Sequence, residues 1–197
     1  MHRPRRVDVV IDFVHCYLGF IRCLRAVRRH REDGGAVETV LRPLQLRPQA
    51  SPVGEPLVEV WARERGAAVA ARLAADTSFG ADDGLEHDFR RAVFTNTFDA
   101  HRLAAQASVQ GKGEEMAERL FRAYFVDGLN IADTPVLARL AAETGVVTTS
   151  GGAEALQAEL ARIRALKLPA PPVFLLAGGP VLSGEIREED VLAALVE

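Results

Sequence analysis

Val7-Asp8-Val9-Val10-Ile11-Asp12-Phe13-Val14, running on into His15-Cys16-Tyr17-Leu18-Gly19, is the stretch on which the fold turns. Residues 7–14 are a β-branched run with no helical period, and such a run suits a strand covered on both faces inside an α/β sheet. Directly after it, Leu18, Ile21, Leu24 and Val27 fall at three- to four-residue spacing and predict a helix over residues 17–31. Arg28, Arg29, His30 and Arg31 crowd its last turn, the charge that a helix C-terminus favours. Gly34-Gly35 stops it. Residues 36–47 read as a second strand with a break near Pro43. Strand, helix, strand is the pattern of a parallel βαβ unit.

Outward from this unit the period changes. Pro48, Pro52 and Pro56 punctuate an irregular stretch. Helical patterning then covers residues 57–75, 99–110, 114–126, 134–144 and 153–166. Asn96, Thr97 and Asp99 are candidate caps for the second of these, with Gly111 as its stop. Asp133-Thr134-Pro135 opens the fourth and Gly145 closes it, proline early and glycine late. Met116, Leu120, Tyr124 and Phe125 share one face of the third, and with Trp61 and Phe121 they read as core or cleft lining. After Pro169-Ala170-Pro171-Pro172 the chain returns to strand chemistry in Val173-Phe174-Leu175-Leu176. Gly178-Gly179 turns it, Val181-Leu182 pairs back as a hairpin, and residues 186–196 close as a helix.

Composition narrows the function classes. The chain has 197 residues, 48% hydrophobic and 26% charged, with a formal net charge of −3. This is an ordinary globular balance, with no global field to recruit nucleic acid or an anionic membrane. No apolar run reaches the ~20 residues a membrane-spanning helix needs. The basic start Met1-His2-Arg3-Pro4-Arg5-Arg6 is followed by Asp8 and Asp12, which do not suit a secretory signal, so a cytoplasmic protein is expected. His2, His15, His30, His87 and His101 show no paired ligand spacing, and no metal site is expected. All but two of the 24 basic residues are arginines; the lysines are Lys112 and Lys167. Such an Arg- and Ala-rich chain reads first as GC-biased coding.

Four stretches together carry a family resemblance. They are Asp12-Phe13-Val14-His15-Cys16-Tyr17-Leu18-Gly19; Leu41-Arg42-Pro43-Leu44-Gln45-Leu46; the helical segments Asn96-Thr97-Phe98-Asp99-Ala100-His101-Arg102-Leu103 and Leu120-Phe121-Arg122-Ala123-Tyr124-Phe125; and Pro172-Val173-Phe174 with Leu182-Ser183-Gly184. In this order they resemble the DsbA-like thioredoxin-fold family. The likeness is strongest to its FrnE-type branch, near the 2-hydroxychromene-2-carboxylate isomerase and kappa-class glutathione transferase group. The resemblance implies an α/β fold in which a thioredoxin-like core, residues 1–55 and 168–197, carries an all-helical insertion over residues 56–167. Similar FrnE-type proteins are encoded with aromatic polyketide and other secondary-metabolite pathways, often in actinobacteria.

The motif at the head of the first helix departs from the family's Cys-Pro-Trp-Cys-Tyr-[Ile/Leu]-Gly. Two registers are open. With Tyr-Leu-Gly aligned, two residues are deleted, the attacking cysteine is lost, and Cys16 takes the place of the resolving one. Without a gap, His15 falls on the attacking position and Leu18 on the resolving one. Neither leaves a Cys-x-x-Cys pair. Cys23 does not replace it: seven residues along one helix put the Cα atoms roughly 10 Å apart, beyond the ~7 Å a disulfide spans, so Cys23 reads as a small buried hydrophobe. A lone thiol cannot resolve its own mixed disulfide, and dithiol exchange is not expected.

The candidate catalytic residues are therefore His15, as proton carrier, and Cys16, where a helix N-terminus favours the thiolate. By resemblance, Tyr17, Pro171 and Pro172, the last at the position of the family's cis-proline, line the substrate site. Asn96, Asp99 and Arg102 would line the cleft between the helical insertion and the thioredoxin-like core. Ser183 matches a segment that contacts the γ-glutamyl part of glutathione in relatives. Pro171 lacks an N–H and so weakens backbone recognition of a peptide here. No cofactor is required, glutathione or another low-molecular-weight thiol being the one the resemblance admits. The expected partner is a small-molecule substrate, with a homodimer by analogy. The expected function is a repurposed non-dithiol enzyme of secondary metabolism, an isomerase, cyclase or dehydratase for an aromatic or polyketide-type molecule. The alternatives are a monothiol oxidoreductase using Cys16 and a non-catalytic binding module.

Overall fold

The computed structural model describes residues 4–196 and divides into two compact units. One comprises the residues up to Gln45 together with those from Gly151 onward; the other is Leu46–Ser150.

The first unit is built on a four-stranded mixed sheet. β1 (Arg5–Ile11) runs parallel to β2 (Val37–Pro43) and antiparallel to β5 (Val173–Leu176). β5 pairs antiparallel with β6 (Val181–Ser183). The β-branched run thus becomes a central strand, with Val7, Val9, Val10 and Ile11 buried. Helix α1 (Tyr17–Glu32) carries β1 over to β2, and its buried side includes Leu18, Ile21, Leu24 and Val27. Helix α7 (Ala153–Ala165) also belongs to this unit: Ile163 packs with Val10 and Val173 in one core cluster. Helix α8 (Glu188–Val196) packs on α1 at the chain's end.

The placing of α7 corrects the domain boundaries. The expectation of a core over 1–55 and 168–197 gave α7 to the insertion and residues 46–55 to the core. Polar contacts explain the first change. Arg42 on β2 donates to Asp8 on β1 at 2.5 Å and to Glu159 on α7 at 2.9 Å. Arg162 grips Glu159 at 2.7 Å. Its guanidinium and that of Arg42 hold the Glu159 carboxyl below the usual carboxylate range. Arg42 and its partners are only about one-fifth to one-quarter exposed. Arg42→Met should therefore lower the urea-unfolding free energy by about 1 kcal/mol, more than a fully exposed ion pair contributes. An unchanged midpoint would show that the network holds nothing together.

The second unit is helical. Residues 57–75, read as one helix, are two: α2 (Leu57–Arg65) and α3 (Ala67–Ala75). Gly66 between them sits at φ +88°, which breaks the helical path and which an L side chain resists. Helices α4 (Phe98–Val109), α5 (Gly113–Phe125) and α6 (Thr134–Glu143) follow close to expectation. Met116, Leu120, Phe121 and Tyr124 on α5 are fully buried. The short pair β3 (Glu55–Pro56) and β4 (Val93–Phe94) was not foreseen, since two residues give no alternation to read. Side-chain amides secure the irregular 48–54 stretch to this unit. Asn96 donates to the carbonyls of Pro48 and Ala50, and Asn130 to those of Pro52 and Val53.

Candidate functional site

The end of β1 and the start of α1 make a tight turn. The Asp12 carbonyl accepts from the N–H groups of both His15 and Cys16, each at 3.1 Å, and the Asp12 N–H points back at the Cys16 sulfur at 3.3 Å. This return hydrogen bond folds the thiol inward, and Cys16, the N-cap of α1, is 1% exposed. His15 stays at the surface, its Nδ1 3.9 Å from Cys16 Sγ. The expected thiolate is therefore corrected. Burial pushes the Cys16 thiol up, the buried Asp12 carboxylate adds to the rise, and the hydrogen bond from Asp12 N–H only partly offsets both. Helix-dipole stabilisation of a thiolate loses here to desolvation. Cys23 is also buried, and both cysteines are free.

Opposite this turn lies Pro172. The Pro171–Pro172 bond is cis, both prolines are buried, and the Pro172 carbonyl accepts the Gly184 N–H at 2.9 Å. Helix α1 reaches this loop through Gly19: a Cβ there would stand 2.5 Å from Pro172 Cγ and 3.1 Å from the Gly184 oxygen. That contact favours the register that keeps Tyr-Leu-Gly aligned, because the close approach needs the glycine of that triplet. Arg22, one turn on, donates to the Ile186 carbonyl at 3.2 Å. Tyr17 is buried, whereas Ser183 is exposed on β6. His15, Cys16, Gly19, Pro171, Pro172 and the Ser183-Gly184 turn all belong to the first unit.

Asn96, Asp99 and Arg102 belong to the second. Arg102 Nε and Nη2 bond the Asp99 carboxylate at 3.1 Å, the i,i+3 pair their spacing allows. Asp99 and Arg102 line a cavity of about 420 Å³ built from this unit's own residues. Asn96 acts as a loop anchor instead, its amide oxygen accepting the Phe98 N–H. His101 is 4% exposed on the other side of α4. Sequence reasoning missed the cavity's other lining residues, among them Gln106 and residues 148–150; Gln106 and, outside that lining, Gln110 clasp the 147–149 segment. Each glutamine amide both donates to and accepts from its backbone, at Thr149 and at Val147 respectively. The available signal was spacing, since 99, 102, 103, 106 and 110 fall on one helical face. Among the described residues no three His, Cys, Asp or Glu side chains gather as a metal set; His2 lies outside them. No helix among them is long and apolar enough to cross a membrane.

A mixed sheet whose central strand feeds a helix facing a cis-proline loop defines a thioredoxin-type protein. The chain belongs to the family described as DSBA-like thioredoxin domain, whose profile matches residues 6–195. Among solved structures it is similar to a probable DsbA oxidoreductase from Streptomyces coelicolor, with 24% identity, a TM-score of 0.84, and coverage of 98% of this chain and 88% of that one. It is similar also to the cytosolic disulfide reductase DsbM from Pseudomonas aeruginosa (23% identity, TM-score 0.57, 97% of both chains). A third is a 2-hydroxychromene-2-carboxylate isomerase (12% identity, TM-score 0.67, 97% of this chain and 94% of that one). No curated protein matches. At these identities the structural likenesses speak to fold alone.

Proposed function

We propose that this chain is a non-dithiol DsbA-like enzyme that moves a proton on an aromatic or polyketide-type small molecule, as an isomerase, cyclase or dehydratase does. One observation carries the reading. The thiol at the head of α1 is buried with its ionisation opposed, while the adjacent His15 imidazole is exposed. A neutral imidazole can take a proton from a carbon next to a carbonyl and return it elsewhere on the same substrate. Atoms and electrons balance without a cofactor. In this reading Cys16 shapes the turn that presents His15, and Pro171-Pro172, with no N–H to offer, supplies an apolar wall suited to a ring rather than a peptide. A cytoplasmic location and a homodimer are part of the proposal.

The test uses 2-hydroxychromene-2-carboxylate as first probe in a panel of enolisable aromatic substrates, alongside insulin reduction by dithiothreitol. We expect turnover without added thiol and at least a tenfold fall in His15→Gln. Cys16→Ala, which keeps the imidazole, should retain most of the rate. Cys16-dependent insulin reduction would install the monothiol reading instead. Equal turnover of an active panel member by His15→Gln would take the imidazole out of the chemistry and overturn this reading, and no turnover of any member would leave a binding module.

A further inference from the structure

The helical unit holds a cavity that the α1–Pro172 site does not use. Its walls are one face of α4 (Asp99, Arg102, Leu103, Gln106), the first turns of α6 (Thr134, Leu137, Ala138) and the clasped segment 148–150. At about 420 Å³ it falls within the ~300–1,000 Å³ of small-molecule sites. Leu103, Leu137 and Ala138 supply its aliphatic lining, and Thr134, Thr148, Thr149 and Ser150 are its hydroxyl-bearing residues.

Arg102 decides the charge of the occupant. A guanidinium has five N–H donors. Two go to Asp99 at 3.1 Å and one makes a long 3.4 Å contact to the Ser150 carbonyl. Two donors remain on a side chain that is 30% exposed and lines the cavity. An aliphatic lining that also holds a charge-bearing fork suits a molecule with an apolar ring and one oxyanion, because a carboxylate matches the fork's geometry. We propose that this cavity binds a small aromatic carboxylic acid, with its carboxylate on Arg102 and its ring over Leu103 and Leu137. Asp99 competes with the ligand for the same guanidinium. The site stands independently of the proton-transfer reading, since the two share no residue.

The pair of opposed variants tests it. Isothermal titration of the full chain with 4-hydroxybenzoate, against 4-hydroxybenzamide as neutral control, should show one saturable site that prefers the acid. Arg102→Met should weaken the acid at least tenfold. Asp99→Asn, which releases the fork, should tighten it several-fold. A purely structural role for the ion pair would weaken both variants alike. Thermal unfolding checks that each is folded, and Arg102→Lys should recover part of the affinity if Arg102→Met is not. Loss of binding in His15→Gln with none in Arg102→Met would place the probe at the other site and overturn the proposal. So would equal affinity for the amide, or no saturation at millimolar probe.

Discussion

Replacing Gly19 by alanine should lower the unfolding free energy by about 1–3 kcal/mol, the range for an extra methyl forced into a packed interior. For a chain of this size that is a fall of roughly 5 °C in Tm. Helix propensity points the other way, since alanine in a helix interior is favoured over glycine by about 1 kcal/mol. Packing wins because neither neighbour can yield. The new Cβ would stand 2.5 Å from Pro172 Cγ and 3.1 Å from the Gly184 oxygen. Pro172 is a buried ring whose carbonyl holds the Gly184 N–H, and the Gly184 oxygen in turn accepts the Ile186 N–H. Relief therefore has to come from α1 moving away from the cis-proline loop, which carries His15 with it. Gly19→Val should cost more still. A calorimetric Tm for Gly19→Ala equal to or above the wild type would mean that this contact does not set the site.

The same contact shows what could be read in the residue order and what could not. The β-branched run at 7–14, the spacing of Leu18, Ile21, Leu24 and Val27, and the glycine turn at 178–179 each report a local preference, and each became the kind of element expected, the strand ending at Ile11 where the turn into α1 begins. Gly19 was quoted as part of a motif but carried no role, because the reason for it lies more than 150 residues away in Pro172. The placing of α7 failed for the same cause. Nothing in Ala153–Ala165 taken alone says that Ile163 meets Val10, or that Glu159 meets Arg42. At the candidate site, the absence of a Cys-x-x-Cys pair was legible from the seven-residue spacing of Cys16 and Cys23. The state of the remaining thiol was not. A helix N-terminus is visible in the sequence and argues for thiolate; the burial that outweighs it is a property of the folded turn. Asp99 and Arg102 were found as a pair, but the wall that Gln106 and residues 148–150 build around them comes from tertiary contact.

That buried thiol has a consequence for stability at alkaline pH. The folded state holds Cys16 protonated well beyond the ordinary thiol range, chiefly through desolvation. The unfolded chain releases the proton with a pKa near ~8.5. Because the folded value is raised, the stabilising difference is complete below ~8.5 and is lost as pH rises above it. There the unfolded state binds fewer protons than the native one, and the slope is about −1.4 kcal/mol per pH unit. Between about pH 8.5 and pH 10.5 Cys16 should therefore remove roughly 2–2.5 kcal/mol. Other groups titrate in the same window, so the quantity to measure is the difference between wild type and Cys16→Ala in urea unfolding at several pH values. The variant should start less stable, since it leaves a small cavity, and the gap should close as pH rises. The same burial should keep both native cysteines from reacting with 5,5′-dithiobis(2-nitrobenzoate) at neutral pH, and both should react at once in denaturant. Parallel pH curves for the two proteins, together with fast labelling of native Cys16, would mean that the sulfur is exposed and ionised. The chain would then have kept half of a working thiol–disulfide site rather than given it up for an imidazole.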